Sequence, residues 1–92
     1  MKLKPFIIKE RARELPIVSG WVYVSVPKME FPKTKKTRWG LIPIQAKIGN
    51  TSWKTSLLPM GDGSYFIALK AKVRKQEDIY IDDNVELWFH VL

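Results

Sequence analysis

The sequence has 92 residues, 46% of them hydrophobic, and a net charge of +7. This length fits a single domain over residues 1–92, and the apolar content is too high for a disordered chain. There is no Cys, which excludes disulfides and Cys-based metal clusters and favours a reducing compartment. The longest uncharged stretch, Leu15–Pro27, is broken by Pro16 and Gly20 and is too short to span a bilayer. We therefore expect a cytoplasmic protein that does not associate with membranes.

The first half of the chain predicts three extended segments. The first starts at Phe6 and reaches about Arg13. The second, Trp21–Val26, alternates so that its valines share one face. The third, Leu41–Ile48, places Ile and Ala on one face in the same way. Residues 28–38 contain Pro32 and five Lys or Arg without periodicity, and we predict a loop there.

The second half predicts a hairpin, one further strand, a short helix and a last strand. Gly49-Asn50 separates Leu41–Ile48 from a return strand at Thr51–Leu57, because a Gly in first position accepts the positive φ of a tight turn. A turn over Pro59–Gly63 leads to a strand at Ser64–Leu69. The two-turn helix and the last strand are expected at Lys70–Asp78 and Asn84–Val91.

A shift of 43 positions aligns the two halves without gaps. Residues 22–26 fall on 65–69, and residues 40–44 fall on 83–87, with matching apolar phase and almost no identity. A match of this kind also arises by chance in β-rich chains. If it reflects duplication, two units of strand, crossing segment and strand would close a small barrel about a pseudo-twofold axis and remove exposed strand edges.

Several segments resemble one bacterial family, domain of unknown function 1905. The similar stretches are GWVYVSVPK, RWGLIPIQAKIGNTSWKTSL, TSLLPMGDGSYFIALKAKVRK and VELWF, which together extend from about Gly20 to the end. The most specific pieces are Thr55-Ser56-Leu57 with Pro59, Gly61-Asp62-Gly63 and Val73-Arg74-Lys75. The resemblance implies a double-split β-barrel, an architecture also seen in AbrB-type regulators and MazE-type antitoxins. We therefore expect a mainly β fold of six or seven strands with one short helix and a pseudo-twofold internal duplication.

The second half is also similar to the AbrB-type pattern of strand, Val-Arg-Lys helix, Gly-Asp turn and strand, with three departures. Asp78 and Asp82 stand where that pattern has Gly, and Glu77 replaces an apolar helix residue. Asp tolerates the left-handed backbone conformation better than most residues, so both turns are expected to survive. The loss of the apolar side chain leaves the packing of the helix in question, and DNA binding does not follow from the shape alone.

Catalytic and metal-binding patterns are missing from the sequence. His90 is the only imidazole, and we expect a structural or solvent-facing role for it. Asp82-Asp83 and Gly61-Asp62-Gly63 are best explained as turns, since the second lacks the Gly spacing, Lys and following helix of a phosphate-binding loop. We expect no catalytic residues, no bound metal and no cofactor.

Two basic segments are the candidate binding surfaces. The first is the cluster Lys33, Lys35, Lys36 and Arg38 beside Trp39, and the second contains Lys72, Arg74 and Lys75. Lysine and arginine next to an aromatic ring suit phosphate contact and base stacking. A solvated loop and a charged helix surface are the alternative interpretation. For Arg74, an ion pair with Asp83 or Glu86 is a further alternative.

Three functions remain open at this level, all for a chain expected to be monomeric. The first is a non-enzymatic module that binds nucleic acid weakly through the basic segments. The second is a protein-interaction or accessory domain, which an exposed apolar surface near Met29, Phe31 and Trp39 would favour. The third, an enzyme or small-ligand carrier, would need a pocket at the mouth of the barrel.

Overall fold

The computed structural model describes residues 5–15, 20–27 and 40–92. Within them lie seven strands and one helix. The strands are β1 (Phe6–Arg11), β2 (Arg13–Glu14), β3 (Val22–Val26), β4 (Ile42–Ile48), β5 (Thr51–Pro59), β6 (Tyr65–Leu69) and β7 (Asn84–Val91). The helix α1 spans Ala71–Glu77, between β6 and β7. The chain is therefore mainly β with one short helix, as the sequence predicts.

The strands form one antiparallel sheet in the order β1-β7-β4-β5-β6-β3-β2. Its two edge strands, β1 and β2, are consecutive in the chain and are separated only by Ala12. Ala12 is fully buried, and its N–H and C=O bond to Asp83 O and Asp82 N at 2.8 and 2.7 Å. Because the two ends of the sheet belong to one stretch of chain, the sheet is nearly closed into a barrel.

The strand register has the pseudo-twofold pattern that the shift of 43 predicts. In the β3–β6 ladder the central pair is Val24 with Ile67, two residues that this shift superimposes. The β4–β7 ladder also contains such a pair, Ala46 with Phe89. Each of the two ladders therefore pairs two residues that the shift superimposes. β5 pairs with both β4 and β6, and β1 and β2 together do the same with β7 and β3.

The inner face of the sheet carries the core. Alternation in β3 and β4 buries every second residue, because successive side chains point to opposite faces of a strand. All the buried residues in the described part of the chain are hydrophobic. The largest fully buried side chain is Phe89, which stacks on Phe6 with ring centroids 5.1 Å apart. The described interior is thus packed with apolar side chains.

The hairpin and turn predictions are confirmed. Ile48 pairs with Thr51, so the β4–β5 loop is the two-residue turn Gly49-Asn50, and Gly49 has φ +56°. Asp78 and Asp82 adopt the left-handed conformation, with φ of 54° and 74°. Several boundaries differ from the sequence prediction: the first extended segment is divided at Ala12 into β1 and β2, β5 continues to Pro59, and the ends of α1 and the starts of β3, β4 and β6 shift by one residue. β5 extends because Leu58 and Pro59 pair with β6 after its pairing with β4 has ended.

Phe89→Ala tests the packing at one symmetry centre. We expect the free energy of unfolding to fall by about 3–5 kcal/mol, because the change removes a fully buried ring and leaves a cavity opposite Ala46. Urea denaturation monitored by circular dichroism measures the loss. Trp88→Ala is the control on the same strand, where the side chain is 43% exposed and a smaller loss is expected. Equal losses in the two variants would contradict this description of the core.

Candidate functional site

The helix α1 presents a basic surface to solvent. Lys72 and Lys75 are exposed, as is Lys70, which immediately precedes the helix. The first turn contains no acidic residue. We call these three lysines the α1 basic surface. It contains two of the residues predicted from the sequence, and neighbouring cations at helical spacing suit a run of phosphate groups.

The third predicted residue on the helix, Arg74, attaches α1 to the barrel. Its Nε donates to Leu69 O at 3.0 Å and its Nη2 to Gly20 O at 3.4 Å. These carbonyls stand at the end of β6 and just before β3. The ion pair suggested for Arg74 with Asp83 or Glu86 is therefore replaced by bonds to backbone carbonyls. The structural role remains, and it fixes the helix beside the start of β3.

An open groove of about 340 Å³ lies between α1 and the start of β3, and we call it the Trp21 groove. Trp21 is 50% exposed on one side. The rest of the lining is mostly apolar or basic and consists of Gly20, Val22, Ala68, Leu69, Lys70, Ala71 and Arg74. The groove therefore combines an accessible aromatic ring, an apolar floor and basic side chains at the edge of the α1 basic surface.

Further aromatic residues follow on the outer face of β3 and β6. The inward positions of β3 are its buried valines, so Tyr23 faces outward, opposite Ala68. Tyr23 contacts Phe66 edge-on, with ring centroids 5.6 Å apart. Arg13 of β2 is exposed and pairs with Tyr23. A patch of aromatic and basic side chains thus continues from the Trp21 groove across this part of the sheet.

The position of α1 also depends on its apolar anchors and on Glu77. Val73 and Ile79 are buried in the core. Glu77 accepts a hydrogen bond from Thr51 Oγ1 at 2.5 Å. Its carboxylate lies so close to Gly49 that a Cβ built there would overlap it. Glu77 thus bonds the end of α1 to the β4–β5 hairpin.

A surface of opposite charge lies at the end of the helix. Its groove of about 390 Å³ is lined in part by Glu77, Asp78, Asp83 and Glu86. The carboxylate of Asp78 hydrogen-bonds the phenol of Tyr80, and its negative charge disfavours the phenolate form. Both effects raise the pKa of this exposed phenol above its ordinary value of 10.0. An acidic groove thus adjoins the end of the helix, where Asp78 lies near Lys75, and an anionic ligand is repelled at that groove.

The turns predicted from sequence are held by their own side chains. Asp62 Oδ1 accepts hydrogen bonds from the N–H and the hydroxyl of Ser64, at 2.9 and 2.5 Å. Asp83 Oδ2 accepts from Tyr80 N at 2.8 Å.

His90 is half-buried opposite Gln45. In the described part of the chain, no group of three His, Cys, Asp or Glu residues could hold a metal ion. Among the same residues, no helix has the length and apolar character needed to cross a membrane.

The structure tests only part of the predicted site. Lys33, Lys35, Lys36, Arg38 and Trp39 lie outside the described residues, as do Met29 and Phe31. Lys72, Arg74 and Lys75 lie on one short helix, with the first and last exposed. The sequence did not predict Trp21 as a candidate site residue. The alternation places it on the face opposite Val22, Val24 and Val26, but the exposure of its ring depends on where α1 lies.

Substitution of the two residues that contact the Glu77 carboxylate, Thr51 and Gly49, tests how α1 is held against the hairpin. Thr51→Val should lower the free energy of unfolding by about 1.5–3 kcal/mol, because it removes the donor to a charged acceptor. Gly49→Ala should also destabilise the fold, through both its positive φ and the overlap with Glu77. Thermal unfolding measures both. Thr55→Val, the same exchange on the same face of β5, is the control, and a loss there as large as for Thr51→Val would contradict the role of Glu77.

Comparison with known proteins places the chain by its family. No curated protein matches the sequence. The model of one family, described as domain of unknown function (DUF1905), matches residues 7–88, which include α1 and all the described strands except the first residue of β1 and the last three of β7. The chain therefore belongs to the DUF1905 family.

Proposed function

We propose that this chain is a non-enzymatic binding domain that holds nucleic acid weakly through the α1 basic surface. The observation that carries the proposal is the exposure of Lys70, Lys72 and Lys75 along one short helix, beside an accessible Trp21. Lysine contacts to phosphate supply sequence-independent affinity, and an aromatic ring adds base contact. The net charge of +7 favours approach of a polyanion over the whole molecule.

The distribution of charge supports the same proposal. Asp78 and Glu86 line the acidic groove at the end of the helix, and Asp78 also lies near Lys75. A phosphate backbone is therefore repelled at that groove and attracted to the lysines of the α1 basic surface. The loop cluster from Lys33 to Trp39 is a second candidate contact that rests on the sequence alone. A cytoplasmic, monomeric protein without cofactor is part of the proposal.

The proposed non-enzymatic role is supported by the interior. The described core consists of hydrophobic residues, with Phe89, Leu57 and Ile67 among the fully buried ones. Catalytic sites ordinarily bring a few polar groups together in a concave pocket. The Trp21 groove is instead open to solvent, and its polar side chains are Lys70 and Arg74, which is already bonded to carbonyls. This arrangement suits contact with an extended ligand.

Charge reversal at matched positions tests the proposal. We expect Lys72→Glu/Lys75→Glu to weaken binding of a labelled oligonucleotide and to reduce the slope of log affinity against log salt by about 0.7–0.9 for each phosphate that the variant no longer neutralises. Fluorescence anisotropy at several salt concentrations measures both quantities. Lys47→Glu/Lys54→Glu changes the net charge equally at exposed positions on the outer face of β4 and β5, and should affect binding less.

Two outcomes would contradict the proposal. One is the absence of binding to single- and double-stranded DNA at low salt, where phosphate contacts are strongest. The other is an equal effect of the two double variants, which would mean that net charge alone is responsible. Lys35→Glu/Lys36→Glu, in the same assay, tests the contribution of the loop cluster.

A second candidate function is protein interaction, which a different surface favours. Ile7 and Trp88 lie directly opposite each other on β1 and β7 and are 50% and 43% exposed. Exposed apolar side chains that adjoin on a sheet face are typical of contact surfaces. This candidate predicts self-association through the face. Sedimentation equilibrium should then show dimers that Trp88→Ala removes, whereas a monomer at every concentration counts against it.

A further inference from the structure

The Trp21 groove has the shape and chemistry of a site for an unpaired base. Trp21 is half-exposed, while Val22, Ala68, Leu69 and Ala71 supply an apolar floor. The volume of about 340 Å³ leaves room for a planar ring against the indole. Lys70 lies at one edge of the groove, and the rest of the α1 basic surface follows it along the helix. A base in the groove would therefore place its phosphate next to lysine.

Tyr23 provides a second aromatic ring on the outer face of β3. Trp21 directly precedes β3, and its carbonyl accepts from Leu15 N at 2.8 Å, so two residues of extended backbone, about 6.8 Å, separate it from Tyr23. Stacked bases follow each other at about 3.4 Å along one strand of a duplex. Aromatic side chains that leave the backbone at twice that interval suit bases that have separated from one another, and paired bases inside a duplex cannot present their faces to them.

From these observations we infer that the ligand of the α1 basic surface is a single-stranded nucleic acid, with one unstacked base against Trp21 and the next towards Tyr23. The inference rests on the proposed function and adds the class of nucleic acid. Phosphates contact Lys70, Lys72 and Lys75, and the rings provide affinity that does not depend on salt. Duplex DNA retains only the phosphate contacts and binds more weakly.

Arg74 has a positioning role in this site. Its bonds to Leu69 O and Gly20 O hold the helix and the turn before β3 at a fixed separation. That separation sets the width of the Trp21 groove. Lysine at this position has no planar fork with which to bond two carbonyls at once. Arg74 thus joins the two walls of the groove.

The neighbouring side chains identify Trp88 as a matched control. Trp88 is another half-exposed tryptophan, but its Nε1 donates to Glu86 at 3.0 Å. Lys47 is its partner on β4, so Trp88 also lies near a lysine but is distant from the Trp21 groove in the sheet order. Comparison of the two tryptophans therefore separates the Trp21 groove from general contact with exposed aromatic rings.

The experiment compares an unlabelled single strand, the same sequence as a duplex, and an abasic strand of equal length. Wild-type protein should bind the single strand most tightly. Trp21→Ala should weaken that binding about five- to a hundredfold, the range for loss of one stacked base, while leaving the salt slope and the duplex affinity unchanged. Trp21→Phe should retain most of the affinity for the single strand. It should lose most of the quenching of tryptophan fluorescence that the bound strand causes in the wild-type protein. Trp88→Ala should bind like wild type.

The abasic strand isolates the contribution of the bases. It carries the same phosphates, so wild type and Trp21→Ala should bind it equally, and Lys72→Glu/Lys75→Glu should bind it more weakly. Circular dichroism and the unfolding midpoint confirm that each variant is folded. An acidic peptide and anionic lipid vesicles are included as other polyanions, and binding of either one as tightly as the single strand, with the same dependence on Trp21, would overturn the inference.

The remaining outcomes separate the inference from the proposed function. Equal binding of single strand and duplex, with no effect of Trp21→Ala, overturns base stacking and leaves phosphate binding by the α1 basic surface in place. An equal loss in Trp21→Ala and Trp88→Ala also overturns the Trp21 groove as the site. No binding to any nucleic acid at low salt overturns both proposals.

Discussion

The antiparallel pairing of equivalent strands holds the molecule together. Val24 faces Ile67 in one ladder and Ala46 faces Phe89 in the other, and each pair joins the two halves of the chain. Neither half could bury its apolar face alone, because a two- or three-stranded sheet without a partner leaves that face in water. With the halves joined, β1 and β2 form the two ends of the sheet and are connected through Ala12. The sheet is nearly closed, which reduces its exposed strand edges.

The short helix depends on this frame for its stability and its position. Seven residues are too few for an independent helix in water, so α1 forms where the barrel provides contacts for it. Val73 provides an apolar anchor, Glu77 bonds the hairpin, and Arg74 bonds the ends of two strands. All three contacts lie on the barrel side of the helix. The lysines are consequently left on the outside, where they form the basic surface on which the proposed function rests.

Charge and aromatic surface are arranged so that one side of the helix differs from the other. The basic side adjoins Trp21 and Tyr23, while the acidic side adjoins Glu86 and Trp88. Among the described residues, Trp21 and Trp88 are therefore two exposed tryptophans in different surroundings, the first beside Lys70 with Glu14 bonded to Gly20, the second between Glu86 and Lys47. The carboxylate of Glu77 lines the acidic groove and also accepts the hydrogen bond from Thr51. One side chain thus contributes both to the attachment of the helix and to the charge at its end.

The strands could be predicted from the sequence alone, because a strand with one buried face has an apolar residue at every second position. Gly49 and the two left-handed Asp residues were likewise predictable, because few residues accept a positive φ. The family resemblance indicated the barrel, and the shift of 43 indicated its symmetry. The sequence could not show which partners Arg74 and Glu77 would bond, or that Trp21 would line a groove. Those features depend on the separation between α1, the hairpin and the start of β3, and only the closed tertiary structure fixes that distance.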